Sequence, residues 1–197
     1  LPLPPQLDED SILTEIDPNK DVDGLTPISG GRLLCANPPA IAPATPSAVV
    51  ELLEYYKYGV RGKHIVIVGN SRIVGKPLVL MLTQQGATVT LCHKYTEDLS
   101  SFTKQADILI SATGHPKLIT GDMIKEGSIV IDIGITRISD LSKKKRYRLE
   151  GDVDVESIKD KANAVSPVPG GIGPLTIALL LKNLIYLAQD QARRKIC

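Results

Sequence analysis

A chain of 197 residues with 43% hydrophobic and 23% charged content has room for one well-cored domain, or one domain with part of another. A formal net charge of +1 removes the bulk electrostatic case for nucleic acid or an anionic membrane surface. No apolar run is read as long enough to cross a bilayer, so neither a nucleic-acid nor a membrane partner is expected.

The chain opens at Leu1 in "LPLPPQLDED" rather than at Met, and is expected to be part of a longer product. "DEDSILTEID" predicts a short helix stopped by Pro18, and the turn-rich "PNKDVDGLTPISGGRL" predicts a loop. "TPSAVVELLEYYKYG" predicts a helix with Thr45 as N-cap, Pro46 at the first helical position and Gly59 at its end. "KHIVIVGN" is a continuous β-branched run and predicts a strand ending at Gly69. "KPLVLMLTQQG" predicts a helix with Pro77 early and Gly86 beyond its end. "ATVTLCH", "DILISATG" and "SIVIDIG" predict three further strands, separated by a helix in "EDLSSFTKQ" and a helical turn in "TGDMIKEG". "LSKKKRYRLEGDVDVES" predicts a charged hairpin or loop, and "PLTIALLLKNLIYLAQDQARRK" a final helix whose basic end suits its dipole. Strands apolar throughout, alternating with helices, predict an α/β fold. From about Gly59 onward it is a doubly wound, Rossmann-like parallel sheet with helices on both faces.

Ligands of such a sheet bind at the carboxyl ends of its strands. The first loop, "VGNSRIVGKP", offers Gly69 for a tight turn, Ser71 as a hydroxyl donor and Gly75 at a helix N-terminus that favours an anion. Ser71 replaces the second Gly of a dinucleotide fingerprint, so an ordinary βα turn remains an equal reading. The second strand ends in His93 and Lys94, where an NAD site places Asp or Glu. With Arg72 nearby, this favours a 2′-phosphate, although a solvated Lys94 explains the residue as simply. His115 reads as a loop residue. Asp21 and Asp23, like Asp152 and Asp154, lack the further ligands a metal needs, so hydrogen bonding or turns are expected and no metal. Cys35, Cys92 and Cys197 are scattered and odd in number, which points to a reducing compartment: the cytoplasm, with the mitochondrial matrix left open.

The stretch "AVSPVPGGIGPLTIALL" sets prolines and glycines directly before a helix, a rigid and bare backbone suited to close approach by something flat. Together with "KDVDG" and "GNSRIVGKPL", its phrase "SPVPGGIGPLT" closely resembles the methylenetetrahydrofolate dehydrogenase/cyclohydrolase family, and the similarity runs from Leu1 to the last helix. The resemblance implies oxidation of 5,10-methylenetetrahydrofolate to the methenyl form with NADP (NAD remaining possible), then hydrolysis to 10-formyltetrahydrofolate. It implies that Asp23 holds the pterin, with Leu1, Pro2, Pro169, Gly170, Gly171, Ile172 and Gly173 bordering the folate. Gly69, Asn70, Ser71, Ile73, Lys94, Tyr95, Thr96, Thr113, Gly114, Ile135 and Thr176 would border the dinucleotide.

The family's catalytic Tyr and Lys would precede Leu1, so no catalytic residue is named. Asn70 stands where members commonly carry an Arg for the 2′-phosphate, Ala44 where many carry Cys, and Thr136 where Asn is usual. The implied organisation is a catalytic-domain remnant over 1–45, the dinucleotide domain over 46–175, and a C-terminal helix over 176–197 packing back toward the catalytic domain. A homodimer through the dinucleotide domains is implied as well. Two alternatives stand beside this reading: a catalytically incomplete dinucleotide-binding module derived from the family, and an unrelated NAD(P)-dependent dehydrogenase.

Overall fold

In a computed structural model, which describes residues 3–4, 6–36, 40–142 and 145–194, the first helix is α1, Glu9–Glu15. The Asp8 carboxylate caps it by accepting from Asp10 N. The region predicted as loop contains a second helix, α2, Pro27–Leu34. Its glycines lower helix propensity, but Thr26 caps the Ser29 amide at 3.1 Å, Pro27 occupies the first turn, and Ser29 and Leu33 are buried. Buried Asp21 braces the entry by accepting from Leu25 N, Thr26 N and Ser29 Oγ at 3.1, 2.8 and 2.7 Å.

Helix α3, Ala44–Tyr55, starts one residue before the expected cap, with Pro43 rather than Thr45 at the N-cap. It also ends before Gly59. Lys57 adopts φ +60°, its N–H meets Glu54 O at 2.9 Å, and Tyr58 N meets Leu53 O at 2.8 Å. That bond pair closes the helix in the geometry the sequence assigned to Gly59.

The remaining elements are β1 (His64–Val68), α4 (Gly75–Gln84), β2 (Thr88–Cys92), α5 (Leu99–Thr103), β3 (Ile108–Ser111) and β4 (Ile129–Asp132). They are followed by β5 (Thr136–Ser139), β6 (Tyr147–Glu150), α6 (Val155–Ile158), β7 (Ala164–Val165) and α7 (Ile172–Arg194). The helical turn is a 3-10 turn at Gly121–Met123. Strands β5 and β6 pair antiparallel as the charged hairpin. The sequence did not predict α6 or β7; with four and two residues they are too short to carry a period.

The five-stranded sheet has the order β2-β1-β3-β4-β7, parallel throughout. Each central strand is apolar on both sides because both faces are covered. Ile65 and Ile67 pack with Leu53, Leu78 and Leu82, while Val66 and Val68 pack with Cys92, Leu109 and Ile158. This is the doubly wound α/β architecture. The strand order reverses between β1 and β3, which makes their carboxyl ends the topological switch point.

Helix α7 corrects one expectation. Its 23 residues have a mean hydropathy of 1.4 over the most apolar window, enough by length and composition to cross a bilayer. It lies along α3, with Leu179 and Leu187 buried and Ile177, Leu181, Leu184 and Ile185 exposed. Its polar residues have protein partners: Lys182 pairs with Glu51, and Asn183 Nδ2 donates to Val22 O and Ala42 O at 3.0 Å each.

Candidate functional site

At the switch point the β1 loop touches both neighbouring strand ends. Gly69 N donates to Cys92 O at 2.9 Å, and with φ +117° Gly69 lies so close to the β3 loop that a Cβ would fall 2.9 Å from the Ala112 carbonyl carbon. Gly75 in turn packs on Gly69, where a Cβ would fall 2.9 Å from the Gly69 carbonyl carbon. The glycines therefore close the turn.

Ser71 braces the loop internally, and its hydroxyl proton stays available to donate. Its Oγ accepts from Val74 N at 3.2 Å and Gly75 N at 3.5 Å, and its carbonyl accepts from Lys76 N at 3.1 Å. Pro77 has no N–H, so the first turn of α4 offers its dipole rather than free amides. The amides of Ser71, Arg72 and Ile73, one turn earlier, find no acceptor among the described residues and form the donor-rich part of the loop.

The β2 loop is a tight turn. His93 N donates to Thr96 Oγ1 at 2.9 Å and Thr96 N to His93 O at 2.8 Å. Lys94 is exposed, with its ammonium 4.9 Å from the Tyr95 ring centroid and no carboxylate partner among the described residues. Arg72, expected beside it, is instead paired with Asp10 on α1. The Cys92 thiol is buried, which pushes its pKa up and keeps it protonated.

Beyond β3, Gly114 O accepts from Thr136 Oγ1 at 3.0 Å, joining the β3 and β4 loops. His115 is an exposed loop residue, its Nδ1 3.1 Å from Thr113 O. Asp152 Oδ2 accepts from Thr113 N at 2.6 Å and Ser111 Oγ at 2.9 Å, so Asp152 serves hydrogen bonding. Among the described residues no group of His, Cys, Asp and Glu is arranged to hold a metal.

The proline–glycine loop and the Asp23 loop meet over α7. Ile135, Pro169, Gly170, Gly171, Ile172, Gly173 and Thr176 line a mainly apolar cleft of about 430 Å³. Asp23, Ile73 and Thr176 line a smaller one of about 160 Å³, and the two share Thr45 and Thr176. A Cβ on Gly173 would meet nothing nearer than Ile135 Cδ1 at 4.0 Å, so protein packing does not demand its bareness. Leu1 and Pro2 lie outside the described residues.

Of the residues that line the clefts, sequence reasoning did not single out Thr45 or Asp132 for the site. Asp132, a lone acid ending an apolar strand, carried the only readable signal. A larger cleft of about 530 Å³ lies beside the β4–β7 edge, with Leu52, Tyr56 and Tyr58 on one wall, away from the Gly69 turn.

The family model for the tetrahydrofolate dehydrogenase/cyclohydrolase NAD(P)-binding domain matches residues 43–192. The bifunctional protein FolD of Flavobacterium johnsoniae is 50% identical over 189 residues, 94% of this chain and 64% of that one. Its counterpart in Amoebophilus asiaticus is 50% identical over 195 residues, 97% of this chain and 65% of that one. This chain thus spans a little under two thirds of those curated relatives. Among solved structures, the Trypanosoma brucei methylenetetrahydrofolate dehydrogenase-cyclohydrolase, complexed with NADP cofactor and inhibitor, superposes with a TM-score of 0.93 at 41% identity. The match covers 98% of this chain and 66% of that one. With the conserved-fold geometry and the profile in agreement over most of its length, the chain belongs to the tetrahydrofolate dehydrogenase/cyclohydrolase family.

Proposed function

We propose that this chain supplies the dinucleotide-binding unit and part of the folate cleft of an NADP-dependent methylenetetrahydrofolate dehydrogenase/cyclohydrolase. The carrying observation is the convergence of Asp23, Thr176 and the proline–glycine loop on two clefts that share Thr45 and Thr176. Asp23 is exposed in the smaller cleft, where an acceptor-only carboxylate suits the N–H groups of a pterin. Pro169 to Gly173 present a bare wall on which flat rings stack, and Gly173 keeps it open. The Gly69–Ile73 turn suits the pyrophosphate, with three unpaired amides and glycines that a side chain would fill. Lys94, without a carboxylate partner among the described residues, suits the 2′-phosphate; Ile135 lines the larger cleft, and the Thr113–Gly114 turn follows β3 at the switch point.

NADP⁺ held by these residues would supply the acceptor for a hydride from the methylene carbon of the folate. This chain's residues orient the two rings and exclude water from their contact. Hydrolysis then adds water to the methenyl cation, giving 10-formyltetrahydrofolate and releasing one proton. No residue of these 197 is assigned as the acceptor of that proton. On this reading 1–45 belong to the folate-binding catalytic domain and 46–175 to the dinucleotide domain, and 176–197 pack back toward the former. The bonds from Asn183 to Val22 and Ala42 support that return, although the 175/176 boundary falls inside α7. The assembly suggested by the resemblance is a homodimer through the dinucleotide units, in the cytoplasm.

The experiment is titration of the purified chain with NADP⁺ and with NAD⁺. Binding of NADP⁺ with NAD⁺ weaker is expected, and binding of neither overturns the reading. In protein that includes the segment preceding Leu1, methylenetetrahydrofolate-dependent reduction of NADP⁺ separates the enzyme from a catalytically incomplete binding module.

A further inference from the structure

Two buried carboxylates stand at the floor of the cleft: Asp132 is among its lining residues, and Asp152 is not. Asp132 ends β4 with 1% of its surface exposed, and Asp152 has none exposed. Asp132 Oδ1 accepts from Gly134 N at 2.9 Å and Asp152 N at 3.1 Å, and its Oδ2 accepts from Val153 N at 2.9 Å. Asp132 N donates to Ser166 Oγ at 2.8 Å, which ties in the start of the proline–glycine loop. Asp152 Oδ2 holds Ser111 Oγ and Thr113 N, while its Oδ1 is buried without a partner.

Glycines let the two chains interlock. A Cβ on Gly134 would lie 2.7 Å from Asp152 Oδ2, and one on Gly151 would lie 2.8 Å from Asp132 Cγ and 3.0 Å from Val168 Cγ2. The pair therefore joins the ends of β3 and β4, the segment after β6 and the proline–glycine loop; of these, the β4 end and the proline–glycine loop line the cleft.

Among the described residues no cation pairs with either carboxylate. Lys117 pairs with Glu150 and Asp154, and Arg148 with Asp140 and Glu150. Burial pushes the Asp132 carboxyl up from its ordinary value and the Asp152 charge adds to that, while three backbone N–H groups pull it down. A fold seeking stability alone replaces such a pair with neutral groups.

The geometry points to Asp152 as a positioning residue for the dinucleotide: through Oδ2 it fixes the Thr113–Gly114 turn at the switch point and so presents that turn to the cofactor. This rests on the proposed dinucleotide site. The neutral isostere cannot do the same work. An Asn at 152 either turns its NH₂ toward the Thr113 N–H, donor against donor, or buries that NH₂ in the unpartnered Oδ1 position against Gly134.

The test compares NADP⁺ affinity, thermal midpoint and amide hydrogen exchange at Thr113 in the whole chain and in Asp152→Asn. The expected result is affinity weakened about tenfold and Thr113 exchange accelerated, a loss larger than any change in midpoint accounts for, since relief of a buried like charge offsets the unsatisfied NH₂ in global stability but not at the turn. Affinity and exchange unchanged in Asp152→Asn overturn the positioning role. So does an affinity that falls only in step with the midpoint, which is the mark of a merely structural residue. If Asp152→Asn does not fold, Ser111→Ala decides: it leaves the carboxylate and removes one of its two anchors, and weakened affinity with faster Thr113 exchange is expected, unchanged values being contrary. Parent protein that binds neither NADP⁺ nor NAD⁺ overturns the site reading and this role together, whereas parent binding with an indifferent variant overturns this role alone.

Discussion

Replacing Gly75 by Ala is the sharpest probe of the β1 turn. The added methyl carbon would sit 2.9 Å from the Gly69 carbonyl carbon and 3.1 Å from Asn70 Cα, both rigid backbone. The nearest atom is the Gly69 carbonyl oxygen, which the methyl carbon would overlap outright, so the start of α4 must withdraw from the turn by more than about 1 Å. Forced overpacking of this kind costs about 1–3 kcal/mol of stability. The withdrawal also strains the hold of Ser71 Oγ on Gly75 N, already 3.5 Å long, and so loosens the turn that carries the free amides. At about 1.4 kcal/mol per tenfold, a comparable loss at the turn weakens NADP⁺ binding roughly tenfold. Urea unfolding and NADP⁺ titration on one preparation read both quantities. If Gly75→Ala unfolds at the parental midpoint and binds NADP⁺ as tightly as its parent, the close-packed account of the turn is wrong.

Lys94→Ala should weaken NADP⁺ binding by about tenfold while leaving NAD⁺ unmoved, since a charge-assisted bond to the 2′-phosphate is lost and nothing else. An unchanged ratio of the two affinities would return Lys94 to the role of a solvent-facing lysine over Tyr95. Burial pushes the Asp21 carboxyl up, but bonds from Ser29, Thr26 and Leu25 outweigh it and hold the pKa below the ordinary 3.8. Its ionised form therefore stabilises the fold above 3.8, and that contribution is lost as pH falls toward the lower folded value. Asp21→Ala should cost about 1–3 kcal/mol at neutral pH. The gap in urea midpoint should narrow as the pH drops below 3.8, and a gap constant with pH would contradict the charge-based account.

The central sheet was legible because its physics is local. Ile65 to Val68 are apolar in succession, which only a strand covered on both faces tolerates, and Pro77 and Gly86 punctuate α4 as helix ends require. Helix α2 was not legible. Its order comes from the Thr26 cap and the bonds of Asp21, which override a glycine pair that reads as loop. Strand β7 pairs only through Ala164 and Val165, too short for any period to show. The site followed the same division. Lys94 and the proline–glycine loop stood out by residue type, whereas the pairing of Arg72 with Asp10 joins residues 62 positions apart and leaves no local trace. Asp152 was legible as a hydrogen-bonding or turn acid, but its burial, like that of Asp132, depends on distant packing that leaves no local trace.

The last helix also governs when the cleft can exist. Asn183 holds Val22 and Ala42 across separations of 161 and 141 residues, and Gln191 reaches back 172 residues to Asn19 O at 2.7 Å. Contacts of such span are late and entropically costly to close. During synthesis Asp23 emerges among the first residues of this stretch, yet its carbonyl neighbours wait for a helix made at the end. The sheet can pack beforehand, but the Asp23 carboxylate acquires its address only when α7 arrives, so shortening that helix would unmoor Asp23 without touching it.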